Sequence, residues 1–493
     1  MNIRVKYLFR IAFNVSIVTV FILLNSCQKN NIKKNTPKKP NIILINVDDL
    51  GWRDLGFMGS EFYETPNIDK LANQGMYFTK AYAGAANCAP SRACLLSGLN
   101  TPRHNVFTVS PSTRGDVRTR KIIPIKNTKH LTNTVYTLPK MLKSAGYITS
   151  NFGKWHVGKN PSKQGIDYNV GGSSRGNPGK GGYFSPYKID FIENGQDGEY
   201  LTDRLTNEAI SFVKKYKDSS FFLYLPFYAV HTPIMGKEKL VEKFKNKKGK
   251  NGQDRADYAA MIASVDENIG KLLNTISSLK LEDNTLVIFT SDNGGVRTIS
   301  YQNPLRSGKG SYYEGGIRVP FIVKWPKHIT AGSKNTNMVS QLDIYPTLQN
   351  IVKPEKQATI LDGLDMLPLL KDTAKIVNRD LFFHFPIYLQ SSNAKVDDGR
   401  DPLFRTRPGS VFISGKWKLH HYFEDNGLEL YNLEDDLGER NNLEKLNPEK
   451  AAELFKKLNT WRTTMNAPIP KEKNPKYNKD FEKNKINKIL KNN

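Results

Sequence analysis

Four short apolar segments, separated by segments of helical periodicity, constrain the fold of this chain more than any other feature of its sequence. Their composition predicts buried strands at 41–47, 146–152, 221–228 and 286–290. Helical periodicity occurs at 65–74, 135–144, 202–216 and 257–279. Strands that alternate with helices predict an α/β fold, in which a large, mixed but mostly parallel sheet is sandwiched by helices.

The pattern changes after about residue 375, where short strands joined by turns replace the alternation. The sequence predicts strands at 380–385, 409–414, 416–423 and 429–433, and then a helix at 448–465. We therefore expect an α/β domain over 41–375 and a smaller C-terminal subdomain over 376–470, an antiparallel sheet with one covering helix. Residues 471–493 are rich in lysine and asparagine, and we expect a basic flexible tail.

The first 40 residues have the composition of a targeting segment. A basic start followed by an apolar stretch over 11–24 is typical of a secretory signal peptide. The segment Leu24-Asn25-Ser26-Cys27 resembles a bacterial lipobox, which implies lipidation of Cys27; an ordinary signal peptide or an uncleaved membrane anchor are the alternatives. We predict a lipoprotein-type signal peptide over 1–26 and a polar tether over 27–40. The protein would be exported and lipid-anchored to a membrane, in the periplasm or at the outer membrane.

The formal net charge is +26, but half of it lies in the predicted signal peptide, tether and tail. This distribution gives no support for a nucleic-acid partner, and we expect none. One basic cluster within 114–130 could instead face an anionic ligand, or it could be an ordinary solvated loop. Against Asp116 alone it places Arg114, Arg118, Arg120, Lys121, Lys126 and Lys129.

Residues 88–92 combine a thiol, a proline and an arginine in the order Cys88-Ala89-Pro90-Ser91-Arg92. Proline is favoured in the first turn of a helix, and Gly98 is a plausible helix end. Cys88 should therefore lie at a helix N-terminus, where backbone amides and the helix dipole favour an anion, with Arg92 one turn further on. The alternative is a small buried core residue. A bridge from Cys88 to Cys94 would have poor geometry, so no disulfide is expected.

Each of the four predicted strands ends in polar residues, and ligands of α/β sheets bind beyond the carboxyl ends of strands. Asp48 and Asp49 follow the first strand, and Asp292 and Asn293 follow the fourth. Three carboxylates and an amide form an all-oxygen set, which favours Ca²⁺ or Mg²⁺ over zinc. The alternative for each pair is a helix cap or a turn.

Basic side chains follow the remaining strands. Lys154 and His156 come after the second strand, His231 comes after the third, and Lys309 lies between two glycines. Histidine is suited to proton transfer near neutral pH. Taken alone, each of these residues is equally compatible with a solvated loop.

Together these motifs resemble those of the type I, formylglycine-dependent sulfatases of the alkaline phosphatase superfamily. The resemblance covers about residues 40–465 and rests on Cys88-Ala89-Pro90-Ser91-Arg92, Asp48-Asp49, Gly153-Lys154-Trp155-His156, His231-Thr232-Pro233, Asp292-Asn293-Gly294 and Gly308-Lys309. One departure is Asn105, which stands where the family has glycine and puts the local turn in doubt.

The resemblance implies that 41–375 is a catalytic domain and that a maturase converts Cys88 to formylglycine (3-oxoalanine). The hydrate of this aldehyde would be the nucleophile that attacks the sulfur of a sulfate ester. A cation, Ca²⁺ rather than Mg²⁺, would be held by Asp48, Asp49, Cys88, Asp292 and Asn293. Among the remaining residues, Arg92 and Lys154 would fix the nucleophile and the metal-binding carboxylates. His156 would act as the base, and His231 and Lys309 would face the leaving oxygen.

The expected substrates are sulfated polysaccharides or derived oligosaccharides, such as ulvan, carrageenan or glycosaminoglycan fragments. Specificity should come from 104–130, 160–200, 297–305 and 384–420, and Trp417, His384 and Arg175 are candidates for sugar contacts. Two alternatives remain: a phosphate or phosphonate ester hydrolase of the same superfamily, and a catalytically silent polyanion-binding lipoprotein. The intact set of candidate catalytic residues argues against the second.

Overall fold

An eight-stranded sheet forms the centre of the structure, a computed structural model that describes residues 39–372 and 379–491. Its order is β4-β3-β5-β1-β6-β7-β2-β8, and only β7 pairs antiparallel to its neighbours. The strands are β1 Asn41–Val47, β2 Met76–Tyr82, β3 Ile148–Phe152, β4 Tyr168–Val170, β5 Phe221–Pro226, β6 Thr285–Ser291, β7 Phe321–Lys324 and β8 Ser333–Ser340. The predicted mixed, mostly parallel α/β sheet is confirmed.

Helices lie on both faces of this sheet. They are α1 Pro66–Asn73, α2 Cys88–Ser97, α3 Thr101–His104, α4 Leu138–Ser144, α5 Leu201–Lys215, α6 Glu238–Lys245, α7 Ala256–Ser278, α8 Glu314–Ile317, α9 Ile344–Val352, α10 Leu367–Leu370, α11 Pro448–Thr464 and α12 Lys479–Lys491. Single turns of 3-10 helix occur at Gly56–Met58, Val117–Thr119, Pro161–Gln164, Gly179–Gly181, Glu282–Asn284 and Gln341–Asp343. No helix within the described residues is both long and apolar enough to span a bilayer.

Alternate residues of the central strand β1 pack into two separate cores. Ile43 and Ile45 face one core, formed with α1, α5, α6 and α7. Ile42 and Leu44 face the other core, formed with α2, α4, α9 and α10. Because side chains alternate between the faces of a strand, a run that is apolar at every position must be buried on both faces. This explains why the continuous apolar segments were reliable strand predictions.

The four predicted strands are neighbours in space, in the order β3-β5-β1-β6, and all of them run parallel. Their carboxyl ends therefore meet at one edge of the sheet. The strand β2 was not predicted, because its half-buried residues give it a weaker apolar pattern. It pairs antiparallel with β7, which pairs antiparallel with β6, so β2 also ends at this edge. Cys88 follows β2 after a short loop.

A second sheet lies C-terminal to the first, as predicted. Its strands are antiparallel in the order β14-β13-β12-β9, with β9 Asp380–Phe385, β12 Gly409–Ser414, β13 Trp417–Tyr422 and β14 Leu428–Asn432. The helix α11 covers one face, where Leu454 and Leu458 pack against Phe412 and Leu419. Between β9 and β12 the chain forms a separate two-stranded sheet, in which β10 Leu389–Gln390 pairs with β11 Phe404–Thr406. The predicted boundary near 375 lies outside the described residues.

The described residues from Pro40 onward form one compact unit that includes the second sheet. On the face of that sheet opposite α11, Phe383 and Val411 pack against Tyr82 of strand β2 and against Phe107. The predicted signal peptide, with Cys27, and the tether up to residue 38 lie outside the described residues.

Residues 479–491, within the tail that was predicted to be flexible, form the helix α12. Ile486 and Ile489 pack beside Ile122 and Phe404. The tail contains several lysines, and this composition hid the apolar face from the sequence analysis.

Polar contacts join the tail to two other segments of the chain. Glu482 accepts from Arg407 Nη2 at 2.8 Å, and the Arg118 guanidinium lies 3.6 Å from the centre of the Phe481 ring. Asn474 Nδ2 donates to the carbonyl oxygens of Val117 (2.8 Å) and Arg120 (2.6 Å). The tail thus braces both the basic segment 114–130 and the strand β11.

We predict that Glu482→Ala lowers the free energy of unfolding by about 1–2 kcal/mol, because it removes a largely buried charge-assisted hydrogen bond. Arg407 keeps Asp401 and Glu424 as partners, so the loss should not be larger. Chemical denaturation measures the difference. The control, Glu472→Ala, removes an exposed side chain of the same tail and should be neutral. Equal stability of the two variants would contradict the packed tail.

Candidate active site

Cys88 occupies the first position of helix α2, whose ten residues are all buried. Pro90 lies in its first turn, and Gly98 ends the helix with a left-handed backbone (φ 69°). The Cys88 thiol is free, its Sγ is 3.8 Å from Asp49 Oδ1, and burial raises its pKa to about 12. The predicted helix start is confirmed.

Three aspartates meet beside this thiol because β1 and β6 end in register, with Val47 opposite Ser291. Asp48 and Asp49 leave β1, Asp292 leaves β6, and the Asp49 amide donates to Asp292 Oδ1 at 3.1 Å. One ligand atom from each of these aspartates and from Cys88 can be chosen so that all lie within 4.8 Å of one another. All four residues are buried.

Each aspartate forms its shortest ion pair with a different cation, and Arg92 Nη2 also lies 3.8 Å from Asp48 Oδ1. Lys154 Nζ bonds to Asp48 Oδ2. Lys309 Nζ lies 2.7 Å from Asp49 Oδ2, and Arg92 Nε lies 2.8 Å from Asp292 Oδ2. Burial opposes ionisation of Asp49, but Lys309 and His231 hold its pKa below the ordinary value. Burial and Asp292 raise the pKa of Asp48 well above the ordinary value, and Lys154 opposes this rise, so the ion pair with Lys154 favours the charged form of Asp48.

Backbone hydrogen bonds between loops fix these groups at the edge of the sheet. They run from Asp48 N to Ala229 O (2.9 Å), Lys154 N to Pro226 O (2.7 Å), Lys309 N to Gly295 O (2.9 Å) and Gly310 N to Ala86 O (2.7 Å). Gly153, with φ 126°, makes the Lys154 contact possible, since a Cβ there would lie 2.1 Å from the Pro226 oxygen.

Two oxygen atoms in this centre are buried without a hydrogen-bond partner, Asp48 Oδ1 and Asn293 Oδ1. Asn293 Nδ2 donates to Asp49 Oδ1 at 2.8 Å, so the amide faces the same group of carboxylates. A buried acceptor without a partner is unfavourable by about 1–3 kcal/mol. A divalent cation that binds oxygen would satisfy both atoms, so the donor set fits Ca²⁺ or Mg²⁺.

Two histidines lie at the same centre. His156 has a left-handed backbone (φ 66°), its Nδ1 is buried without a partner, and Gly176 lies against its ring. Burial, Lys154 and Arg92 lower its pKa. His231 Nδ1 donates to the Thr232 oxygen at 2.7 Å, and its Nε2 is 3.7 Å from Asp49 Oδ2. Burial and Lys309 lower the pKa of His231 to about 3, so both rings are neutral near pH 7.

The structure brings all of the predicted catalytic and metal-binding residues to this edge of the sheet.

The turn that was in doubt at Asn105 is formed in the structure. Asn105 caps α3 with a left-handed backbone (φ 56°), and its amide donates to Thr101 O at 2.8 Å. Asparagine adopts this conformation more readily than other residues that carry a Cβ.

Two of the three candidate sugar contacts are wrong. His384 is buried, with Nδ1 at 2.8 Å from Ser410 Oγ and Nε2 at 3.0 Å from Pro468 O. Trp417 packs with the C-terminal core under α11. Arg175 remains a prediction, since it is half exposed, pairs with Asp190 at 3.2 Å and precedes the Gly176 that covers His156.

The sequence analysis missed two residues that support the centre. Gln341 accepts from Ser91 Oγ (2.9 Å) and donates to Ser291 O (2.6 Å), which joins helix α2 to the end of β6. Arg405 Nη1 donates to Lys309 O at 3.1 Å. Neither residue lies in a local motif, and both act across long sequence separations, so no sequence signal was available.

Comparisons with known proteins agree with this geometry. Residues 40–352 match the Sulfatase family, and residues 308–466 match the family described as N-sulphoglucosamine sulphohydrolase, C-terminal. A sulfatase of Formosa agariphila is 35% identical, over 88% of this chain and 91% of that protein. An N-acetylgalactosamine-6-O-sulfatase of Bacteroides thetaiotaomicron is 30% identical, over 90% and 97%.

Among solved structures, the crystal structure of Ps i-CgsB in complex with k-i-k-neocarrahexaose superposes with a TM-score of 0.71. It is 29% identical, over 92% of this chain and 98% of that chain. Fold and site together define a sulfuric ester hydrolase of the alkaline phosphatase superfamily. The chain belongs to the sulfatase family.

We predict that the buried His384 makes the stability depend on pH. Burial lowers its pKa to about 3, below the 6.5 of an exposed imidazole, so its contribution is complete above about pH 6.5 and is lost as the pH falls toward 3. In His384→Gln, the slope of unfolding free energy against pH between 6 and 4 should fall by up to about 1.4 kcal/mol per pH unit. Chemical denaturation across this range measures it. Identical slopes in His384→Gln and in the wild type would contradict the claim that burial lowers the pKa of His384.

Proposed function

We propose that this sulfatase hydrolyses sulfate esters on sulfated polysaccharides or on oligosaccharides derived from them, such as ulvan, carrageenan or glycosaminoglycan fragments. The observation that carries the proposal is the convergence of Cys88 with three carboxylates and three cations in one buried centre. The name of the Bacteroides relative and the oligosaccharide bound by Ps i-CgsB support a sulfated carbohydrate. The nucleophile would be a formylglycine hydrate at position 88, made by a maturase.

We propose Ca²⁺ as the metal, bound by Asp48, Asp49, Asp292, Asn293 and the modified Cys88. Ca²⁺ accepts many oxygen ligands in flexible geometry, whereas Mg²⁺ usually keeps several waters, so a site with this many protein ligands favours Ca²⁺. When bound, the cation supplies charge that stabilises sulfate oxygens and lowers the pKa of a nearby hydroxyl. It would also add positive charge to the centre, which suits an anionic substrate.

Four further side chains are placed to act in the remaining steps of ester hydrolysis. Arg92 binds both Asp292 and the Lys154 carbonyl oxygen, so it holds two of the loops in register. His156 is neutral and has a free Nδ1, so it can accept a proton from a hydroxyl at position 88. Lys309, whose pKa is raised by Asp49, carries the positive charge that would stabilise the leaving oxygen. His231 lies beside it and offers a second polar contact.

We predict that Cys88→Ala loses sulfate release by about 10³-fold or more, because it removes the precursor of the nucleophile. Protein produced with a maturase is assayed on an aryl sulfate, an aryl phosphate and defined sulfated oligosaccharides, and position 88 is checked by mass spectrometry. The control, Cys94→Ala, changes the other free cysteine of α2 and should stay active. Full activity of Cys88→Ala, or full activity with unmodified Cys88, would refute this mechanism. Preference for the aryl phosphate would favour a phosphate ester hydrolase.

We predict that Ca²⁺ raises the melting temperature of the protein by about 2 °C or more at saturation, because it binds only the folded centre. Asp292→Asn should abolish this increment. Asp54→Asn, which alters a buried carboxyl held by Ser300 and Tyr258 outside the centre, should keep it. Thermal unfolding with and without the ion measures both. No increment in the wild type, or a larger one with Mg²⁺, would contradict the assignment.

We propose further that the protein is exported and lipid-anchored through Cys27, in the periplasm or at the outer membrane. This rests on the composition of residues 1–40 and on the lipobox-like segment that ends at Cys27. Mass spectrometry of protein from a bacterial membrane fraction would show an acylated Cys27 at its N-terminus. An unprocessed N-terminus, or cleavage at another position without acylation, would refute the anchor.

A further inference from the structure

Two arginines from distant parts of the chain approach each other near the active centre. Gly115, the neighbour of Arg114, lies against the Phe404 ring, since a Cβ there would be 2.7 Å from Phe404 Cε1. The Gly115 amide also donates to Gln390 Oε1 at 3.1 Å. The segment with Arg114 is therefore fastened to the two-stranded sheet whose strand β11 carries Arg405.

The same two-stranded sheet is bonded to the loop that carries Lys309. Arg405 Nη1 donates to the Lys309 oxygen at 3.1 Å, and Thr406 Oγ1 donates to the Gly310 oxygen at 2.7 Å. Lys309 in turn reaches Asp49 beside Cys88. Arg405 is therefore linked to the catalytic centre through its hydrogen bond to Lys309.

Among the residues that the structure describes, none compensates the charge of Arg114. Its Nε donates to Pro111 O at 2.9 Å and its Nη2 to Ser110 O at 3.3 Å. Within the described residues no carboxylate forms an ion pair with it, whereas Arg405 pairs with Asp397 at 3.2 Å. Burial and Arg405 lower the pKa of Arg114, while Cys88 raises it, so both groups are electrostatic neighbours of Arg114. Arginine nevertheless stays charged.

The tail anchors both of the segments that carry the two arginines. It binds the segment after Arg114 through Asn474 and Asn478, whose amide donates to Arg118 O at 2.9 Å. It binds the strand with Arg405 through the ion pair of Glu482 with Arg407. Two cations held close together in advance form a preorganised site for an anion, because the cost of ordering them is met before the ligand binds.

We propose that Arg114 and Arg405 form a second anion subsite, which binds another anionic group of the glycan while the scissile sulfate lies at Cys88. The ligand is an oxyanion on the same sugar chain, either a second sulfate ester or a uronate carboxylate, and both suit the planar fork of a guanidinium. The proposal rests on the proposed function and narrows its substrate class to glycans with a second anion close to the sulfate that is cleaved.

The test measures how three sugars inhibit hydrolysis of an aryl sulfate. N-acetylgalactosamine 6-sulfate has one anion, N-acetylgalactosamine 4,6-disulfate adds a sulfate, and the unsaturated chondroitin 6-sulfate disaccharide adds a carboxylate. In the wild type, at least one of the two sugars with two anions should have an inhibition constant about tenfold or more below that of N-acetylgalactosamine 6-sulfate. The sugar that shows this advantage identifies the anion.

In Arg114→Ala and Arg405→Ala this advantage should disappear, and in Arg114→Ala hydrolysis of the aryl sulfate itself should change less. Arg114→Lys should keep part of this advantage, since lysine retains the positive charge but lacks the planar guanidinium. The control, Lys126→Ala, changes an exposed lysine of the same basic segment and should behave as the wild type. If Arg405→Ala does not fold, Arg114→Ala decides the question, because its side chain bonds only to loop carbonyl oxygens.

Equal inhibition by all three sugars in the wild type would overturn the subsite, and so would an Arg114→Ala variant that weakens all three equally. Calorimetric binding of the same sugars separates the two proposals. If the sugars bind with the expected preference but no sulfate ester is cleaved, the proposed function is wrong and the subsite stands. If sulfate is released without any preference, the proposed function stands and the subsite is wrong.

Discussion

Three buried aspartates pair with three buried or largely buried cations at one edge of the central sheet, and the rest of the active centre depends on these pairs. Arg92, Lys154, Asp48 and Asp292 are all fully buried. A single ionised group in such surroundings would be strongly destabilising without its partner. The pairs therefore fix the loops that carry them, and Cys88 and His231 both lie beside the paired Asp49.

The sheet topology determines which residues meet at this point. Four parallel neighbours, β3, β5, β1 and β6, end together, and each contributes polar residues just after its last position. The strand β2 ends at the same edge because β7 between it and β6 is antiparallel. The nucleophile precursor, the carboxylates and the bases therefore come together although more than 200 residues separate Cys88 from Asp292 and Lys309.

The sequence was informative where a strand of five or more residues is buried on both faces; the four-residue strand β7 is also buried throughout but was not predicted. The strands β1, β3, β5 and β6 and the polar residues after them were predicted from continuous apolar runs, and the four C-terminal strands were predicted as short strands joined by turns. The strand β8 was missed because its first half is polar and partly exposed. The helix α12 was missed because its lysines hide a narrow apolar face.

The candidate site was predicted from local motifs, and its supporting residues were not. Gln341 and Arg405 have no motif around them and act only through contacts that the fold creates. His384 failed as a sugar contact because the sequence does not show which strand face a histidine occupies. The basic segment 114–130 was ambiguous for the same reason, since only the fold shows that Arg118 pairs with Asp116 while Arg114 approaches the centre.

The most direct test of the central claim is a crystal structure of the calcium-loaded protein with anomalous diffraction data. We predict one calcium peak at about 2.3–2.6 Å from oxygens of the three aspartates, including Asp48 Oδ1, and from Asn293 Oδ1. The three cations would keep their contacts with the other carboxylate oxygens, Asp48 Oδ2, Asp49 Oδ2 and Asp292 Oδ2. A centre without the ion, in which both unpartnered oxygens bind water or Arg92 Nη2 instead, would contradict the account.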